Sequence, residues 1–357
     1  MMNDLICKLA ETHRLETAEY QFLIDHRDAE SAARLAALAR QTAQQVYGNK
    51  VFVRGLVEIS NICKNDCLYC GIRRSNQACD RYRLTPEQIL ACAEEGYGLG
   101  FRTIVMQGGE DGFFSDAVVR DIIRAIKQAH PDAAVTLSLG ERSRESYHAL
   151  YDAGADRYLL RHETASRDHY ERLHPKAMSY ENRMRCLQDL HEIGYQTGCG
   201  FMVGSPFQTS EDLARDLKFI EEFLPEMCGI GPFIPHKDTE FRHAPAGSVE
   251  LTCYLLSILR LIRPNLLLPA TTALGSIDPG GREKGILAGA NVVMPNLSPQ
   301  DVRSKYALYN NKLSSGAEAA QNLSDLRTGM AAIGYEVVID RGDIRQNRRN
   351  ANDNLRP

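Results

Sequence analysis

From Val51 onward the sequence alternates short runs rich in β-branched residues with amphipathic stretches, and it does so eight times. The first run is VFVRGLVEIS at 51–60; seven more strands are expected at 102–109, 133–140, 157–164, 196–204, 227–235, 266–275 and 291–298. Helices fill the intervals. Thr85 before Pro86, and Thr209 three residues ahead of Asp212, have the form of N-terminal caps, and Gly154 and Gly194 stand where helices should close. Eight such units over about 250 residues suit a closed barrel of parallel strands. QGGED, LSLGE, LLRHET, GFMVG, GPFIPH, PATTALG and VMPNLS all fall at carboxyl ends of strands, the face on which such a barrel carries its chemistry. The predicted fold class is α/β, a (β/α)8 TIM barrel with N-terminal helices and a C-terminal helical cap, with a doubly wound open sheet as the alternative.

The same pattern sets the expected domains. Residues 1–48 read as an extension of two or three helices covering the bottom or side of the barrel, residues 49–300 as the barrel, and residues 301–340 as the cap. Residues 341–357 are polar, rich in Arg and Asn, and expected to be disordered. Lys and Arg number 42 against 46 Asp and Glu, a net charge of −4, so no overall field favours nucleic acid or an anionic membrane. No apolar run approaches the eighteen or so residues that span a bilayer, and the expected location is cytoplasmic.

Three of the ten cysteines stand together: Cys63, Cys67 and Cys70, in ISNICKNDCLYCGIRR, just past the first strand. The others are scattered singly and read as buried thiols of a reducing compartment. Three thiolates in one loop can converge on a compact centre. A structural zinc normally takes four protein ligands, whereas a cube of four irons held by three cysteines keeps one iron open. Zinc remains the alternative. At other strand ends, Arg161 and Glu163 share one face of their strand and His162 takes the other, by alternation. The pair can act as a ligand clamp, with Arg161 or Arg183 of YENR gripping a carboxylate, or it can be a structural ion pair. His162 reads as a packing or supporting histidine.

The C-x3-C-x2-C spacing, with Tyr69 before the third cysteine and the loop following the first strand of a βα barrel, resembles the radical S-adenosylmethionine (SAM) superfamily. That resemblance implies one [4Fe-4S] cluster on Cys63, Cys67 and Cys70, with SAM on the open iron. QGGED resembles the superfamily's glycine motif, in which Gly108 and Gly109 let backbone approach the SAM amino group. RYRLTPEQI, TLSLGE, AGADRYLLRHETA, IGPFIPH, PATTALGSIDPGGRE and GANVVMPN narrow the resemblance to the HydE maturases of [FeFe]-hydrogenase, with methylornithine synthase and biotin synthase more distant. This implies cofactor contacts from Tyr69, Gly108, Gly109, Glu110, Glu163, Arg183 and Met202, and substrate contacts from Thr136, Ser138, Arg161, Thr271 and Tyr306.

The expected reaction is anaerobic H-cluster assembly, acting on a cysteine-bound Fe(CO)2CN precursor. Expected partners are this small organometallic substrate, other maturases (a GTPase scaffold and a tyrosine-cleaving radical enzyme) and an electron donor such as ferredoxin or flavodoxin. Nucleic acid and membrane are not expected partners. Some HydE proteins hold an auxiliary cluster on three later cysteines; here Ser314 stands at the first of those positions, no cysteine follows Cys253, and no auxiliary cluster is expected. Cys79, Cys199 and Cys228 are not placed to substitute. An amino-acid mutase like methylornithine synthase, or a non-catalytic iron-sulfur carrier, are the alternative functions.

Overall fold

The computed structural model describes residues 1–313 and 319–345. Its strands are β1 (Lys50–Val53), β2 (Gly55–Ser60), β3 (Thr103–Gly108), β4 (Ala134–Ser138), β5 (Arg157–Leu159), β6 (Gln196–Cys199), β7 (Met202–Val203), β8 (Met227–Cys228), β9 (Gly231–Pro232), β10 (Val292–Val293) and β11 (Glu336–Val338). β2, β3, β4, β5, β6 and β8 form one parallel sheet in that order. Single bridges complete the circle: Met227 to Leu267, Pro269 to Val292, and Leu56 to Asn296, all parallel. The eight-stranded barrel is therefore closed, and the open sheet is excluded.

The later strands are shorter than the sequence pattern suggests. Gly198, Gly200, Gly229 and Gly231 give them no side chain to pack, and Pro232, Pro235 and Pro269 remove ladder donors, so regular pairing stops early. The caps form as expected: Thr85 with Gln88, and Thr209 with Asp212, make reciprocal capping boxes, and Gly194 closes its helix at φ 103°.

Helices Met2–Thr12, Thr17–Asp25 and Ala29–Tyr47 lie against the outer helices Ser210–Phe223 and Val249–Ile262. The Tyr20 hydroxyl donates to Glu221 at 2.7 Å and that of Tyr254 to the Leu23 carbonyl at 2.8 Å. After β10 the chain crosses the mouth of the barrel through residues 305–313. It then descends as helix Leu323–Ala332 to β11, which pairs with β1 at the opposite end. That helix completes the eighth βα unit; what covers the mouth is the irregular 305–313 segment.

Residues 341–345 are tied under the barrel floor. Arg157, wholly buried, donates to Asp343 at 2.5 Å and to the Arg341 carbonyl at 2.9 Å, and Arg341 pairs with Asp156 at 2.8 Å. Disorder from residue 341 is thus not what these five residues show, because the barrel floor offers a buried guanidinium that needs a carboxylate. The rest of that expected tail, 346–357, and Ser314 lie outside the described residues. Burial raises the Asp343 carboxyl, but Arg157, Gln196 and Arg341 together outweigh this and hold it down at about 2. Its folded pKa lies below the unfolded value of about 3.9, so its stabilisation is complete above about pH 4 and is lost as pH falls toward 2. Asp343→Asn should melt below the parent protein at pH 7, and the gap should narrow between about pH 4 and 2; a constant gap would contradict the pairing.

Candidate active site

The loop from Asn61 to Thr85, between β2 and helix Pro86–Gly98, carries the three clustered cysteines, all half-buried. It lacks regular structure and is pinned instead by its neighbours. Asn61 donates to the Asp80 and Lys305 carbonyls at 2.8 Å each, the Leu68 amide to Leu173 at 3.0 Å, and the Gly71 amide to Leu308 at 2.8 Å. The Arg81 guanidinium donates to the carbonyls of Asn61, Ile72, Arg73 and Asn76. Asp66 accepts from Arg73 at 2.8 Å and from the Ser75 hydroxyl at 2.7 Å. Such a frame keeps its shape independently of what the thiols hold.

Burial pushes all three thiols up, Cys70 to about 12. Among the described residues no three His, Cys, Asp or Glu side chains gather around a single ion. Three thiols on one such loop suit a thiophilic group such as an iron-sulfur cube. Tyr69 is fixed beside them: the neutral His174 ring donates from Nδ1 to the Tyr170 carbonyl at 2.9 Å, leaving Nε2 to accept the Tyr69 hydroxyl at 3.2 Å.

The end of β3 leans on this loop. The Gly109 amide donates to Ser60 at 3.0 Å, and a Cβ on Gly109 would stand 2.3 Å from the Ile62 carbonyl oxygen and 2.8 Å from Cys63 Cβ. What Gly109 makes room for in this structure is the cysteine loop itself. Gly109→Ala must displace backbone, and the loaded protein should lose iron to a chelator about tenfold faster; an unchanged rate would show that the loop tolerates the shift.

Glu110 follows Gly109 and is held through both carboxylate oxygens. Its Oε1 accepts the Glu141 amide at 3.1 Å, and it pairs with Lys64 at 2.9 Å beside an open cavity of about 200 Å³ that Phe114 and Arg142 also line. Glu141, a residue not singled out in the sequence although it ends LSLGE, then holds Arg183 at 2.6 Å, while Arg183 Nη1 donates to the Arg161 carbonyl at 2.5 Å. Glu110 is thereby linked to Arg183 through Glu141 rather than by contact.

Inside the barrel, the register Val105–Thr136–Arg157 and the inward alternation bring Thr136, Ser138 and Arg161 to one wall. Arg161 Nη2 and Glu163 Oε2 form an ion pair at 3.1 Å without hydrogen-bond geometry, and Arg161 Nε and Thr136 Oγ1 are buried with no hydrogen-bond partner. Thr271 donates to the Ile230 carbonyl at 3.2 Å from the opposite wall. Tyr306, a buried residue of the 305–313 segment, accepts from Gln107 at 3.4 Å, and Met202 packs with Leu173 and Phe233 near Tyr69. Buried polar atoms without hydrogen bonds are costly, and this ion pair and its unbonded neighbours beside a thiol-bearing loop offer groups to which a polar ligand can bond. The donor set fits an iron-sulfur cube and SAM.

Comparison with known proteins agrees with this chemistry. The Radical SAM superfamily model matches residues 57–220. The [FeFe] hydrogenase maturase subunit HydE of Thermotoga maritima is 47% identical over 279 residues, 78% of this chain and 79% of that one. The 3-methylornithine synthase of Methanosarcina acetivorans is 27% identical over 82% of this chain and 83% of its own. A crystal structure of methylornithine synthase superposes with a TM-score of 0.79 at 23% identity, covering 94% of this chain and 97% of that one, a likeness of fold. No helix among the described residues is long and apolar enough to cross a membrane. Together, the closed barrel, the three-thiol loop and these likenesses identify the chain as a member of the radical SAM superfamily, in the family of the HydE maturases, an enzyme whose family implies a [4Fe-4S] cluster and SAM.

Proposed function

We propose that the protein is a radical SAM maturase of [FeFe]-hydrogenase H-cluster assembly, acting on a cysteine-bound Fe(CO)2CN precursor. Cys63, Cys67 and Cys70 hold three irons of the cluster, and no cysteine beyond Cys253 is available for a second one. Tyr69, Gly108, Gly109, Glu163, Arg183 and Met202 surround SAM, with Glu110 supporting Arg183 through Glu141. When bound there and reduced, the cluster would supply the electron for reductive cleavage of SAM. Arg161 takes the carboxylate of the cysteine-bound substrate through its guanidinium, and Thr136, Ser138, Thr271 and Tyr306 face the rest of it.

The observation that carries this reading is the buried Arg161–Glu163 ion pair, which makes no hydrogen bond between its two groups, with Arg161 Nε and Thr136 Oγ1 unbonded near it, beside the cysteine loop. The chain's remaining task is exclusion of water and stray hydrogen donors. Residues 341–345 close the floor and residues 305–313 the mouth. The other maturases and a ferredoxin or flavodoxin donor are the partners this role requires.

Supplying the gene to cells that express [FeFe]-hydrogenase and its other maturases but lack this one should restore hydrogen evolution. Failure to restore it, with methylornithine formed from lysine by the purified protein, would instead assign a mutase.

A further inference from the structure

We propose that His162 and Asp216, neither in the cysteine loop nor among the inward-facing groups, are positioning residues that set Arg161 and Glu163 at the proposed SAM and substrate site. The inference rests on that site reading and adds the device that aims it.

The device begins as a register error. β5 and β6 pair as Arg157–Gln196, Tyr158–Thr197 and Leu159–Gly198, but the next bridge is Glu163 to Phe201. The offset falls by one, so the β5 side carries one extra residue: a bulge, the device by which a strand re-aims a side chain. Glu163 sits there at φ 67°, in the left-handed region that a side chain makes unfavourable. Something outside the ladder must hold it.

The bulge leaves the Gly200 amide without a ladder carbonyl, and His162 Nδ1 accepts it at 3.2 Å, while the Glu163 amide donates to the Gly200 carbonyl at 3.0 Å. A backbone amide can only donate, so Nδ1 is the bare nitrogen and Nε2 carries the proton. Burial drives the His162 pKa down to about 3, in keeping with a neutral ring. Nε2 faces Asp216 Oδ1 at 3.2 Å, and the same oxygen accepts the Ala165 amide at 2.5 Å. Asp216 belongs to helix Ser210–Phe223, and both side chains are wholly buried, with Phe219 of that helix 4.7 Å from the His162 ring. One outer helix thus grips the bulge on both sides of Glu163, at His162 and at Ala165. The Asp216 carboxyl group, which burial pushes well above the usual carboxylate range, acts on the clamp through the peptide.

Asp216→Ala removes the acceptor, Asp216→Asn keeps an oxygen in its place, and His162→Phe keeps the ring but not its nitrogens. SAM affinity is read from the change in the reduced-cluster electron paramagnetic resonance spectrum during titration, with iron content and circular dichroism measured alongside. Asp216→Ala and His162→Phe should keep the cluster and weaken SAM binding about tenfold or more, and Asp216→Asn should recover most of it. If Asp216→Ala does not fold, His162→Phe carries the comparison. Parent-like SAM affinity in either folded variant, even with a lowered melting point, would make the pair merely structural and overturn the proposal. If the parent protein itself shows no spectral response to SAM, the site reading falls and this inference with it.

Discussion

Cys70→Ala is expected to leave a folded barrel that no longer holds its cluster: iron should fall from about four per chain to well below one, and SAM cleavage to the background of cluster-free protein. The loop is fixed by bonds that do not involve the thiol, among them the Gly71 amide to Leu308 at 2.8 Å and the four carbonyls gripped by Arg81. The fold therefore survives a change that removes one of three ligands. Two thiolates leave two irons of the cube without a protein ligand, and such a cluster disassembles. Cys79→Ala is the matched control, since that thiol lies 3.6 Å from the Asn61 amide nitrogen and has no place among the three. It should keep iron and cleavage. Iron and sulfide assays on the two variants check both expectations, and full cleavage by Cys70→Ala would remove the thiol from the ligand set.

Lys312→Met should carry the largest stability cost, about 3–5 kcal/mol in denaturant unfolding. Glu58, wholly buried at the upper part of β2, accepts from Lys312 at 2.7 Å and from Asn296 at 2.9 Å, and the lysine is itself nearly buried. Without the ammonium group the carboxylate keeps one neutral donor in a low-dielectric interior. Adding Glu58→Gln removes the stranded charge and should recover much of the loss, so the double variant separates charge burial from lost packing. Because Lys312 belongs to the segment over the mouth, the single variant should also admit solvent and raise SAM cleavage that is not coupled to product. Equal stability of Lys312→Met and the parent would mean that the pair contributes nothing net.

The parts of this structure written in local pattern were legible in the sequence. Strand and helix alternation and the caps at Thr85 and Thr209 depend on residues a few positions apart. The closed barrel followed from where unusual residues fell. What stayed hidden depends on partners distant in the chain. Lys312 meets Glu58 across 254 positions, and Asp343 meets Arg157 across 186. A polar, Arg-rich stretch reads as solvated because composition reports only what a segment can bury, not what polar partner a barrel floor offers it. The short later strands reflect glycine and proline at positions that the β-branched pattern alone does not weigh. His162 was legible as a supporting residue, but its partner Asp216, the bulge and the strained Glu163 backbone required the register of two strands. Glu141 could have been found from LSLGE, whose terminal acid falls at a strand end on the catalytic face.

The most direct test is a single anaerobic experiment: load the full chain with iron and sulfide, reduce it with dithionite, and add SAM. The account predicts about four irons per chain, a spectrum that changes when SAM binds, and methionine and 5′-deoxyadenosine released in equal amounts. A chain that takes up zinc in place of the cube, or a reduced cluster that leaves SAM intact and its own spectrum unaltered, would contradict it.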